Sequence, residues 1–171
     1  SLSLLRELGT STLMVTHDSE EAMRLADRVA LMREGRIIQE GPPAEMYHSP
    51  VDEDATEFFS EVTKMDGVVH AGVVDTPVGQ VPVVGMPSGT LVTVVFRPES
   101  FCIHPDSFIA ATVLRIHPRG GGMLTVLKLC VSDLTLPVWL PPGTAISLGQ
   151  EVQIGLNPES CFVFRKKERL A

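Results

Sequence analysis

The chain has 171 residues, of which 44% are hydrophobic and 20% charged, and 14 Lys and Arg stand against 21 Asp and Glu for a formal net charge of −7. That length accommodates one ordinary domain or two small ones, and the composition is that of a protein that builds a core rather than a disordered chain. The acidic balance argues against a nucleic-acid surface, no apolar run approaches the roughly 20 residues of a membrane-spanning helix, and three widely spaced cysteines, Cys102, Cys130 and Cys161, indicate neither a disulfide framework nor a zinc site.

In chain order, Leu2, Leu4, Leu5 and Leu8 have the spacing of an amphipathic helix closing at Gly9, so the chain is expected to begin inside an element. Residues 12–15 read as a short buried strand. Thr16-His17-Asp18 follows it directly and precedes Ser19-Glu20-Glu21-Ala22. Ligands of open α/β sheets gather at the carboxyl ends of strands, and helix N-termini offer unpaired N–H groups. A histidine at that junction is placed to touch a phosphate. The same residues also form an ordinary capping box, Asp18 with Glu21, beside a loop histidine.

A helix is expected over 19–25, with Ala22, Leu25, Ala26 and Val29 on one face. Strand-like runs at 28–32 and 36–39 flank Glu34-Gly35, a hairpin signal. Pro42-Pro43 open a helical turn through Glu45 and Tyr47 that Pro50 ends. Residues 52–62 place Ala55, Phe58, Phe59 and Val62 on one helical face, the stripe of an element facing a core.

The order of these parts resembles the end of the nucleotide-binding subunit of ATP-binding-cassette (ABC) transporters. The resemblance rests on the strand, His17, the helix, Asp27-Arg28, the Gly35 hairpin and the closing Gly41-Pro42-Pro43-Ala44-Glu45-Met46-Tyr47, and it covers about the first 50 residues closely. It implies that His17 is the switch histidine that contacts the γ-phosphate and the attacking water, a catalytic and cofactor-binding role. A P-loop ATPase also needs a glycine-rich loop with Lys, a Ser or Thr on magnesium and an aspartate on the metal. No GxxxxGK[ST] occurs in these residues, and the resemblance places the signature loop and acid pair before residue 1. The expectation is a carboxyl-terminal piece of a longer ATPase. ATP and Mg would be cofactors of the intact subunit, and the 171 residues alone are expected to be inactive.

After Lys64-Met65-Asp66-Gly67 the pattern changes to short β-branched runs separated by Pro and Gly. Strands are expected at 68–74, 80–84, 91–96, 109–116, 124–131, 135–140, 151–156 and 161–165, a small barrel or sandwich. Phe96-Arg97-Pro98-Glu99-Ser100 and Leu156-Asn157-Pro158-Glu159-Ser160 share Pro-Glu-Ser after an apolar strand, so one supersecondary unit is used twice. Two such units can close on one another and bury their edges. The Arg97-Pro98-Glu99 element resembles, more loosely, the oligonucleotide/oligosaccharide-binding (OB)-like TOBE regulatory domain of import ATPases for maltose, ferric iron, sulfate and polyamines. Gly120-Gly121-Gly122, with Arg115 and Arg119 near it, reads as a turn rather than an anion cradle. His48, His70, His104 and His117 show no metal-ligand spacing, Trp139 reads as core, and Arg165-Lys166-Lys167-Glu168-Arg169 as a solvated end.

The expected fold class is therefore α+β overall: residues 1–64 as the end of a P-loop α/β nucleotide-binding domain, and residues 65–171 as an all-β OB-like barrel. The resemblance implies the ATPase subunit of a solute importer, paired with a second copy and with transmembrane permease subunits, peripheral on the inner face of the cell membrane, with no nucleic-acid partner and no metal ligand of its own. The alternative is a stand-alone ligand-binding or protein-interaction barrel without ATPase function. Apolar surface around residues 2–15 is expected to drive self-association.

Overall fold

The computed structural model describes residues 11–166 and divides the chain into two compact units, Ser1–Phe59 and Ser60–Ala171. The helix expected over 2–8 and the end of the basic tail lie outside the described residues. No helix among the described residues is long and apolar enough to cross a membrane.

In the first unit the expected strand at 12–15 is not formed. Leu13 and Val15 are each 92% exposed in an unpaired stretch. A strand is held by hydrogen bonds from its neighbours, and no described residue pairs with this one. Helix α1 (Ser19–Leu25) follows, then strands β1 (Val29–Arg33) and β2 (Arg36–Gly41). Their antiparallel register runs from Val29 opposite Gly41 to Arg33 opposite Arg36. Glu34 at φ 50° and Gly35 at φ 75° make the left-handed two-residue turn whose twist suits a hairpin.

Helix α2 (Pro43–His48) starts with proline at its first position and buries Met46 completely, and α3 (Glu53–Phe59) buries Ala55, Thr56 and Phe59. Asp52 caps α3, its Oδ1 accepting from the Ala55 N–H at 2.9 Å. Arg33 ties the hairpin to this helix, with Nη2 at 2.5 Å from Asp52 and Nη1 at 2.5 Å from Asp54. Gln39 clasps the loop between α2 and α3, donating to the Ser49 carbonyl at 2.8 Å and accepting from the Val51 N–H at 2.9 Å.

The second unit contains β3 (Thr63–His70), β4 (Val73–Thr76), β5 (Gly79–Pro82), β6 (Leu91–Phe96), β7 (Phe101–Ile103), β8 (Ile109–Arg119), β9 (Gly122–Leu129), β10 (Thr135–Leu140), β11 (Glu151–Leu156) and β12 (Cys161–Arg165). They form two antiparallel sheets, ordered β10-β9-β8-β11-β7 and β12-β6-β3-β4-β5. The first sheet curls until β10 lies against β7, giving the five-stranded, partly open barrel of an OB-like domain. The core between the sheets includes Val69, Val94, Phe96, Leu127, Leu136 and Ile154, all without exposure, and Phe96 stacks on Phe101 at 5.5 Å.

The single strand expected at 68–74 is two strands. Ala71 at φ 49° and Gly72 at φ 81° turn the chain between them, and β3 begins at Thr63, paired with Phe96. Val68-Val69 and Val73-Val74 flank the turn with the same residue type, so the stretch reads as one strand although His70 and Gly72 interrupt it.

The duplicated Pro-Glu-Ser segments become two strand–3₁₀–strand units, β6 and β7 around Pro98–Ser100, β11 and β12 around Pro158–Ser160. They interlock crosswise: β6 pairs with β12 and β7 with β11, so each copy supplies one strand to each sheet. At the crossing the Asn157 N–H donates to the Ser100 carbonyl at 2.8 Å, and the Ser100 hydroxyl donates to the Ser160 carbonyl at 2.9 Å. β7 thereby covers one edge of β11 and β12 one edge of β6, while β7 and β12 stand at the ends of their own sheets.

Candidate functional site

Residues 16–22 build the site singled out by sequence. The Asp18 N–H donates to Thr16 Oγ1 at 3.0 Å, and Asp18 Oδ1 accepts from the Glu21 N–H at 3.0 Å. Asp18 is thus the N-cap of α1, as its type and position predict. The reciprocal half of a capping box is taken by Thr16, since its hydroxyl rather than Glu21 satisfies the Asp18 N–H. His17 sits between these two bonds, is exposed, and makes no hydrogen bond or ring contact among the described residues.

The charge around it sets a limit. A hollow of about 230 Å³ on this helix is lined by Asp18, Glu20, Glu21 and Arg24. Three carboxylates against one guanidinium disfavour a phosphate. The hollow on this helix is therefore not itself a phosphate cradle. Arg28 is directed elsewhere: its Nη2 lies 3.4 Å from Glu40 across the hairpin.

The other residues weighed by sequence are spread over the second unit. Gly120 and Gly121 are the two-residue turn between β8 and β9, with Gly121 at φ 87°. Gly122 is required by packing instead: a Cβ there would lie 2.5 Å from the Leu140 carbonyl and 2.8 Å from the Trp139 ring. Trp139, expected in the core, is half-buried on the outer face of β10, directly across from Leu124. A β-bulge between Val113 and Arg115 shifts the β8 alternation, so Ile116 packs on the core while Arg115, His117 and Arg119 are exposed. The period of two from 115 to 119 was visible in sequence; which face it occupies depended on the bulge.

Cys102, Cys130 and Cys161 are all free thiols. Cys130 lies 3.7 Å from Thr112 Oγ1 in a shallow depression of about 570 Å³, where Lys128 pairs with Asp133 at 2.7 Å. No group of three or more His, Cys, Asp or Glu among the described residues is placed to hold a metal ion.

No protein-family profile matches the chain. Among curated proteins it is similar to the Fe(3+) ions import ATP-binding protein FbpC of Streptomyces coelicolor, 42% identical over 127 residues that make up 73% of this chain and 36% of that protein. The sulfate/thiosulfate import ATP-binding protein CysA 2 of Chromobacterium violaceum is 37% identical over 131 residues, 74% of this chain and 36% of its own. The spermidine/putrescine import ATP-binding protein PotA of Borreliella afzelii is 28% identical over 176 residues, 95% of this chain and 47% of its own. The chain spans less than half the length of each. Among solved structures, a cytoplasmic molybdate-binding protein, ModG, matches 63% of this chain and 97% of its own with a TM-score of 0.50 and 12% identity, a likeness of fold.

Proposed function

Since this chain is homologous to ATP-binding subunits of ABC importers, we propose that it is the carboxyl-terminal part of such a subunit, with residues 1–64 ending a P-loop nucleotide-binding domain and residues 65–171 forming an OB-like TOBE regulatory domain. The observation that carries the reading is identity of 42% and 37% to two import ATP-binding proteins over nearly three quarters of the chain. The intact subunit would couple ATP hydrolysis to solute import, pair with a second copy and with transmembrane permease subunits, and lie on the inner face of the cell membrane. The second unit would supply regulatory and dimer contacts.

In this reading His17 is the one catalytic group of the chain. Its exposure beside an N-cap that Asp18 already satisfies leaves the imidazole able to receive or orient a proton at the γ-phosphate of ATP bound by other walls of the site. ATP and magnesium bound there would supply the phosphoryl group and its charge neutralisation.

Replacing His17 by Ala in the intact subunit is expected to lower ATP turnover by about 10²-fold or more while nucleotide affinity stays within a few-fold, because the group acts on the transition state. Equal turnover in both proteins removes the role. Calorimetry on the 171 residues alone should detect no micromolar ATP binding, and such binding would overturn the assignment of the phosphate cradle to residues outside them.

A further inference from the structure

The outer face of β8, β9 and β10 carries two parallel rows. Arg115, His117 and Arg119 occupy alternate positions of β8, spaced by about 6.8 Å along an extended strand. Beside them, in register, stand Val126 and Pro137 across from Arg115, and Leu124 and Trp139 across from His117. The side chains of Arg115 and His117 make no hydrogen bond or ion pair among the described residues. Arg119 has only a long contact, 3.7 Å, to Glu61, with both side chains more than half exposed, a pairing that is readily exchanged.

We propose that this face docks an extended acidic segment of a partner protein. In a chain of net charge −7, an open row of basic side chains is a local reversal of sign, and it attracts what the rest of the surface repels. An extended peptide repeats every second residue at the same spacing of about 6.8 Å, so carboxylates at alternate positions meet Arg115, His117 and Arg119 in register. Trp139, Pro137 and Val126 supply the apolar contact, and tryptophan and arginine are the residue types that dominate protein interfaces. A nucleic-acid surface needs a broader cluster of Lys and Arg, and an anionic membrane needs roughly 4–8 of them together. Two arginines and a histidine fit a peptide best. The inference does not rest on the ATPase reading, because no nucleotide takes part.

Trp139 is the only tryptophan, so its emission reports on this face directly. The 171-residue protein is titrated at low salt with a capped octapeptide of alternating Glu and Thr. A saturable change in emission is expected, weakened by added sodium chloride and absent with the matching Lys-Thr peptide. The double variant Arg115→Ser/His117→Ser, altered only at exposed positions, should keep the urea midpoint and lose about tenfold or more in affinity, while Arg115→Lys with His117 intact keeps most of it. No saturable change, an equal response in the double variant, or a stronger response to inorganic polyphosphate or anionic lipid vesicles than to the peptide overturns the proposal.

Discussion

The Cys161 thiol sits at the start of β12 and hydrogen-bonds the Asn157 carbonyl at 3.5 Å. Burial pushes its pKa up from 9.0 to about 11, and a hydrogen bond with Ser100 opposes this only in part. The folded state therefore keeps a proton that the unfolded chain loses, so this stability is fully present below pH 9 and lost as pH rises from 9 to about 11. Urea midpoints measured across that window should fall more steeply for wild type than for Cys161→Ala, and alkylation at neutral pH should label the exposed Cys102 and Cys130 first. Ser100 is the other decisive side chain, fully buried, accepting from the Arg97 N–H at 3.0 Å while donating to Ser160. Ser100→Ala leaves the buried Arg97 N–H and the half-buried Ser160 carbonyl short of a partner and should cost about 1–3 kcal/mol in denaturant melts, whereas Ser160→Ala, whose hydroxyl accepts from the Asn157 amide, should cost under about 1. At this scale sequence was a good guide where chemistry is local. Asp18 as a cap and His17 beside it followed from residue type alone. The outward placement of Trp139 did not, because a strand residue's face is set by register with its neighbours.

Elements were legible where alternation is broken by clear turn residues: β6, β10, β11 and β12 occupy the residues the pattern assigned to them. Two failed for different reasons. Residues 12–15 have a strand's composition without a pairing partner among the described residues, and composition does not supply hydrogen bonds. The stretch 68–74, expected as one strand, hid a turn at Ala71-Gly72 between two pairs of valines. The glycines of the β8–β9 turn separate conformational need from packing need. Gly120→Ala meets nothing within 4 Å and should be tolerated within about 0.5 kcal/mol, while Gly122→Ala must displace the Leu140 carbonyl or Trp139 and should cost about 1–3 kcal/mol. Comparing the two variants by urea unfolding checks this, and equal stability would mean that β10 yields more easily than its contacts indicate.

At the scale of the whole molecule, the two units have separate means of cohesion. The first is held by the Arg33 bridges and the Gln39 clasp around Met46, the second by one core between two sheets. Residues 60–166 expressed alone should unfold in a single cooperative transition whose midpoint agrees by circular dichroism and by Trp139 emission; non-coincident transitions would show that the barrel needs the rest of the chain. The sequence by itself determined the kinds of element, most of their turns, the capped helix behind His17 and the use of one strand–turn–strand unit twice, since each depends on residues close together in the chain. Only the tertiary structure decided that the two copies exchange strands between sheets, that a bulge at Leu114 turns Arg115 and His117 outward, and that Trp139 leaves the core. Those outcomes depend on which distant strand supplies each hydrogen bond, and a one-residue change in that register reverses every side chain it carries.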